Sequence, residues 1–561
     1  MVRSVLNVVY NEIRGLHQAA YVLGAFTLGS QFLALIRDRL LAHQFGAGVE
    51  LDLYYTAFRI PDFLYVLFAS TLSVYVLIPF VAERTAKEGA PSARKLLSEV
   101  FSVFLIGYSA LSLLVIVTIP YLIPHLFPGF VGESETLITL IRILMLQPFL
   151  LGLSSLYGVI TQYGHRFVLY AVSPLIYNVG IICGILFLYP VFGLYGVGWG
   201  VVLGAFGHLV IQLPFIRGSE LNPSFTPSIT VRNIINVFRV SLPRALTLSL
   251  HQFVLLGFAG FASLMAVGSV SVFQFAFNLQ SVPLAIVGVS YSVAAFPLLA
   301  RHYAESEFAE FGKLIMNALR HILFWSLPAI ALIIVIRAQF VRIVLGSGEF
   351  DWNDTRLTAA VLALFALSLA AQAVHMLLVR ALYATQNTRL PFFATLLSSV
   401  LAIVGALMAH SLILTNEGFR TLIESLMRLR DVPGVEVLAL PLGYSLALII
   451  ESILLTLLVH RELFINIRTI FFATVRGILA ALFAGFCAYT TLNFYATGIE
   501  ADTLPTIFLQ GLFASLVGSL GALIVYYVLH SPELGEAYAA IHKKIFRTAP
   551  VGPQDEDTLS I

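Results

Sequence analysis

Stretch after stretch of this chain stays apolar for about twenty residues, the length a helix needs to cross the hydrocarbon core of a bilayer. Reading between breakers gives roughly fourteen such runs, centred near 19–43, 52–80, 98–122, 136–162, 167–189, 194–216, 234–262, 269–299, 315–340, 356–384, 390–413, 438–460, 474–497 and 505–529. The 561 residues are 59% hydrophobic and 11% charged, with a mean hydropathy of +0.92. A water-soluble fold could not cover that much apolar surface. The expected class is an all-α polytopic membrane protein.

Two parts of the chain repeat each other about 220 residues apart. Ala57-Phe58-Arg59-Ile60-Pro61 opens a run ending Ile78-Pro79-Phe80-Val81-Ala82-Glu83-Arg84, and Ala276-Phe277-Asn278-Leu279 opens another ending Phe296-Pro297-Leu298-Leu299-Ala300-Arg301. Leu156-Tyr157-Gly158-Val159-Ile160-Thr161-Gln162 and Leu382-Tyr383-Ala384-Thr385-Gln386 keep nearly the same offset. The copies begin at the second and eighth spans. An even number of spans separates them, so both copies have one orientation, related by an axis along the membrane normal. Two parallel six-helix lobes follow, with two further helices after them. The expected divisions are an interfacial helix at 1–18, a first lobe at 19–217, a linker at 218–233 and a second lobe at 234–461. The last two spans occupy 462–530 and a tail 531–561. An amphipathic insert at 415–437 interrupts the second lobe, since Phe419, Leu422, Ile423, Leu426 and Met427 recur at helical spacing.

Basic residues of short loops predict orientation. Arg84, Lys87, Arg94, Lys95, Arg166, Arg217, Arg232, Arg301, Lys313, Arg389, Arg461, Arg468 and Arg476 fall on one side. Both termini join them, which predicts cytoplasmic ends. Cys183 and Cys487 lie inside apolar runs and carry no disulfide or metal pattern. No nucleophile elbow, phosphate loop or zinc motif is present, so no enzyme chemistry, cofactor or nucleic-acid partner is expected.

The first hairpin is unusually rich in charge: Arg37, Asp38, Arg39, Asp52, Arg59 and Asp62, with Gly46 and Gly48 in the intervening turn. Charges at membrane depth are rare and need a partner or a task. Arg37 with Asp38, and Arg59 with Asp62, are spaced for local ion pairs that would fix one helix on another. The same residues also suit a cavity that holds an anionic head group, with Arg37 and Arg59 facing it and Asp38 and Asp52 orienting them. Arg244, next to Pro243, is placed either at a membrane surface or at the cavity mouth. The lone histidines His208, His251, His375 and His410 read as packing residues. Glu451 is a candidate ligand for a coupling ion.

These residues resemble the bacterial lipid II flippases of the MurJ/MviN family. The resemblance runs through Arg37-Asp38, Phe45-Gly46-Ala47-Gly48, Asp52, Ala57-Phe58-Arg59-Ile60-Pro61 and Pro79-Phe80-Val81-Ala82-Glu83. It continues through Pro128-Gly129-Phe130, Ser173-Pro174 with Asn178, Pro243-Arg244 with Gln252, and Arg380 to Pro391. It implies the fold of the multidrug/oligosaccharidyl-lipid/polysaccharide exporters, and alternating-access flipping of an undecaprenyl-diphosphate-linked glycolipid across a bacterial inner membrane. Membrane lipids and cell-wall synthesis proteins are the further partners it implies. Arg37 matches a cavity arginine, Asp52 an aspartate of the second helix and Arg59 a basic cavity position. The chain departs from the pattern at Gln31, Tyr65 and Asn278, where the family has arginines. Three cationic groups for a diphosphate are therefore missing, and Arg59 and Arg244 are the candidates to replace them. Two alternatives stay open: an exporter of a different lipid-linked glycan or small molecule, and a membrane scaffold that transports nothing.

Overall fold

Two of the breaks that divide the long apolar runs into separate helices lie just before a proline, whereas other prolines sit inside continuous helices. A computed structural model describes residues 16–69, 72–460, 462–463, 465–498 and 503–545, and among them every regular element is helical. The second span, expected as one helix, is three: α2 (Val49–Ala57), α3 (Arg59–Ala69) and α4 (Val74–Glu88), following α1 (Leu16–Phe45). Pro61 has no N–H and its ring collides with the carbonyl four residues earlier, so α2 ends at Ala57. The fourth span repeats the device. After α5 (Ala90–Leu126), α6 (Ser134–Leu144) stops four residues before Pro148, and α7 (Leu146–Tyr163) resumes.

α8 (Phe167–Cys183) and α9 (Leu194–Val210) complete the first lobe. α8 packs on α1 and α9, and α9 also packs on α7. Glycines let α8 and α9 touch backbone to backbone: a Cβ on Gly180 would stand 2.2 Å from the Cα of Gly204. This is the close small-residue approach that holds membrane helices together where the hydrophobic effect does not.

The linker, irregular from Asn222 to Thr230, runs along α5. Ser224 and Thr226 N–H donate to Ser98 and Ser102, and Glu99 accepts from Thr230 and Asn233. It leads into α10 (Val231–Ala262), α11 (Ser269–Leu284) and α12 (Ser290–Ala304). A π-helical turn at Ala285–Val289 joins the last two, just past Pro283. α13 (Phe308–Leu345), α14 (Trp352–Ala366), α15 (Leu369–Ala384), α16 (Arg389–Thr415) and α18 (Ala439–Val459) finish the second lobe. α14 and α15 are bent 45° apart and are together long and apolar enough for one span. Between α16 and α18 the insert forms α17 (Glu417–Met427), helical as its pattern predicts. α19 (Ile467–Gly498) and α20 (Leu504–Val528) pack on each other and on α13, and α21 (Pro532–Ile545) follows. Glu533 of α21 pairs with Arg320 of α13 and Arg476 of α19, which ties that end of the three helices together.

By length and composition, eleven described helices can cross a membrane, or twelve with the bent pair. The other two of the fourteen expected spans are the charged first hairpin, α1 and the α2–α4 series. The interfacial helix expected at 1–18 lies outside the described residues up to position 15, as does the tail beyond 545.

Candidate functional site

The two lobes meet at two depths, and the first hairpin takes part in both. At the end of the molecule that carries the 46–48 turn, the contacts run mainly to backbone. Asp52 of α2 reaches across to the first turn of α11. One carboxylate oxygen accepts from Gly268 N–H at 2.7 Å. The other accepts from Ser271 N–H at 2.8 Å and from its hydroxyl at 2.6 Å. Free N–H groups and the positive end of the helix dipole make a helix start the natural partner of a carboxylate. Here the capping group comes from the other lobe. Ala57 matches Ala276 in the repeat, so Asp52 and Ser271, each five residues earlier, occupy equivalent positions.

Two more links join the same end. Ala47 N–H donates to Asp354 Oδ2 at 3.1 Å, and Glu349 N–H donates to His43 O at 3.0 Å. Gly268 has φ +88°, and a Cβ there would lie 2.2 Å from Ala47 O. Glycine is needed at that position both for the backbone angle and for the approach. Arg39 donates to Ile343 O and Val344 O, the last carbonyls of α13. These contacts close this end.

One to two turns deeper, side chains take over. Arg37 binds Asp38 Oδ1 through Nε and Nη2, at 3.0 and 2.7 Å, and donates to Asn178 of α8 at 3.1 Å. Asp38 Oδ2 accepts from Asn278 of α11 at 2.9 Å. Asn278 in turn accepts from Gln274, whose own oxygen accepts from Arg59 at 2.6 Å. A continuous chain of polar groups thus runs from Asn178 through Arg37, Asp38, Asn278 and Gln274 to Arg59, crossing the lobe boundary twice. Asp38 and Arg59 are 2% and 6% exposed, so this network sits where charge is strongly penalised unless partnered.

The network is not fully satisfied. Arg59 Nε, Tyr55 OH and Thr56 Oγ1 are buried without a hydrogen-bond partner among the described residues. Three such atoms within five residues are unusual, because buried polar groups are nearly always bonded.

The predicted site residues therefore divide. Arg37, Asp38 and Arg59 come together at mid-depth. Asp52 is engaged at the closed end. Arg244 lies seven residues along α10 from His251, roughly 10 Å nearer the basic end, beside Tyr383. The expected Arg37–Asp38 pair forms. Arg59 turns to Gln274 instead of closing a pair with Asp62, which takes a hydrogen bond from Gln147. Of the positions where the sequence departs from its pattern, Asn278 is part of the network and Tyr65 contacts Ser155 at 3.3 Å. Gln274 and Ser271 were not foreseen. The signal for Gln274 was present, as Gln274 and Asn278 stand four residues apart on one face of an apolar helix.

Comparison with known proteins agrees with this architecture. The family model described as Lipid II flippase MurJ matches residues 41–509. A protein of Buchnera aphidicola named "Probable lipid II flippase MurJ" is 29% identical over 387 residues, 67% of this chain and 74% of its own length. One of Burkholderia cenocepacia, "Lipid II flippase MurJ", is 25% identical over 520 residues, covering 89% and 96%. Among solved structures, "Lipid II flippase MurJ, inward closed conformation" superposes with a TM-score of 0.72 at 23% identity, over 91% of this chain and 99% of that one. An inward-facing multidrug resistance MATE family transporter of the MOP superfamily gives 0.64 at 15%, over 77% and 94%. With a family match spanning most of its length, on the fold that its helices build, the chain belongs to the lipid II flippase MurJ family.

Proposed function

We propose that this protein flips lipid II, an undecaprenyl-diphosphate-linked peptidoglycan precursor, from the inner to the outer leaflet of a bacterial inner membrane by alternating access. Both termini are cytoplasmic in this reading, and the end closed around Asp52 faces outward. The observation that carries it is the mid-depth network: two arginines at the boundary between lobes, beneath an end that is shut. The diphosphate enters from the cytoplasmic side and exchanges with Gln274 and Asn178 as partner of Arg59 and Arg37, while Asp38 keeps Arg37 in place. Arg244 meets the head group first, nearer the cytoplasm. Asp52 acts on the substrate through the gate, by holding α11 until the lobes rock. No covalent bond forms or breaks in this cycle. An inside-negative potential favours outward movement of an anion by about 2.3 kcal/mol per charge per 100 mV.

Neutral Gln31, Tyr65 and Asn278 favour a second reading, in which the cargo is another lipid-linked glycan of lower head-group charge. Rescue of a bacterium depleted of its own lipid II flippase separates the two. The expected result is growth with the wild type and none with Arg37→Ala at equal membrane abundance. Failure of the wild type despite normal abundance would move the assignment to the second cargo.

A further inference from the structure

A second buried charge lies apart from the lobe boundary. Glu451 is 3% exposed on α18, about 18 Å along that helix from its start. Its Oε1 accepts a hydrogen bond from Thr395 of α16 at 3.2 Å and stands 3.4 Å from Nδ1 of His375 on α15. That Nδ1 makes no hydrogen bond of good geometry. α18 packs against α14, α15 and α16. From α15 the group facing Glu451 is His375. α16 offers Thr395, with Arg389 and His410 near its two ends. Asp354 and Arg356 of α14 lie at the closed end, and α18 itself adds Tyr444 two turns away. Behind these, His251 of α10 has its ring 6.1 Å from both Tyr444 and Phe277, and it lies within electrostatic reach of both His375 and Arg59.

We propose that Glu451 and His375 form a proton-binding site in the second lobe, coupled through His251 to the anion site at Arg59. An unpaired carboxylate at this depth is strongly disfavoured, and one proton shared with the imidazole makes the pair neutral as a whole. Taking up that proton converts carboxylate and neutral imidazole to carboxylate and imidazolium; release reverses it, and nothing else is consumed. The added positive charge favours an anion at Arg59. By linkage, anion binding favours the proton to the same degree. Flipping by this protein is then proton-coupled, a statement that rests on the flippase reading, whereas the proton site itself does not.

Two measurements on the full chain in nanodiscs keep these apart. The first needs no ligand: infrared difference spectra between about pH 5 and pH 8, the range where an ordinary histidine side chain changes charge. A carboxyl or imidazole band that changes with pH and is lost in both Glu451→Gln and His375→Gln is expected. A wild type with no such change overturns the site. The second is the affinity for a polyprenyl diphosphate, with the polyprenyl alcohol as control. Wild-type affinity is expected to rise roughly threefold to tenfold more than that of Glu451→Gln as the pH falls through that range. Equal pH dependence in the two proteins overturns the coupling, and so does a response to sodium in place of pH. Absence of diphosphate binding at every pH would instead sink the flippase reading, with the infrared result still deciding the site.

Discussion

The closed end and the mid-depth network do the same job, joining one lobe to the other, with different chemistry. At the closed end, backbone supplies most of the partners: the N–H groups of Gly268, Ser271, Ala47 and Glu349 and the carbonyls of Ile343 and Val344, with the Ser271 hydroxyl adding one side-chain link. Such groups are fixed by their helix or turn, so the contacts fit in one arrangement and are lost together when the lobes part. At mid-depth the links join side chain to side chain, through Arg37, Asp38, Asn278, Gln274 and Arg59. Those groups are carried on rotatable side chains, and Arg59 Nε still lacks a partner among the described residues. The first region is built to be open or shut. The second is built to change partners, as a site that exchanges its own amides for a ligand must.

Three substitutions test that contrast. The largest effect is expected from Arg59→Ala, which removes a charged donor of the network whose Nε has no hydrogen-bond partner among the described residues. Loss of a charge-assisted bond of about 2–3 kcal/mol corresponds to flipping slowed by about 100-fold. Thermal unfolding should move little, since Gln274 keeps its hydrogen bond to Asn278. A large drop in melting temperature would show the network to be structural and erase the distinction.

Next comes Gly268→Ala. Its Cβ would strike Ala47 O, and alanine at φ +88° is strained, which together disfavour the closed end by about 2 kcal/mol. Spin labels at Glu135→Cys and Thr421→Cys, with Cys183 and Cys487 replaced, report the separation of the lobes at that end. The distance distribution should shift towards the longer population, by about 30-fold. An unchanged distribution would mean that the gate does not depend on this approach.

The smallest effect is expected from Asp52→Asn. The amide keeps one acceptor but loses the charge that meets the helix start, a change of about 1 kcal/mol, or about fivefold in the same distance measurement. A larger shift than Gly268→Ala gives would place the strength of the gate in charge rather than in fit.

The sequence made the lobes legible because span length, proline position and a repeated motif are all local signals. The Arg37–Asp38 pair was legible for the same reason, the two being adjacent. What escaped it depended on partners far along the chain. Asp52 reads as a cavity acid because nothing near it explains a buried carboxylate, and its partner Gly268 lies 216 residues away. Arg59 reads as a partner of Asp62 until α11 brings Gln274 beside it. The first break in the second span was in principle visible, since Pro61 stands four residues past the stop at Ala57. A run of apolar residues conceals such a break from any measure that only sums hydropathy.

Asp52 and Ser271 meet as equivalent positions of the two copies, so the duplication axis passes close to their bond. Were the lobes identical chains associating side by side, the same residue would have to face itself there. Two aspartates would repel, and two serines would bring no charge to the opposing helix start. Because the two copies differ at this position, one supplies the acid and the other receives it. The gate is in that sense a product of broken symmetry between the two copies.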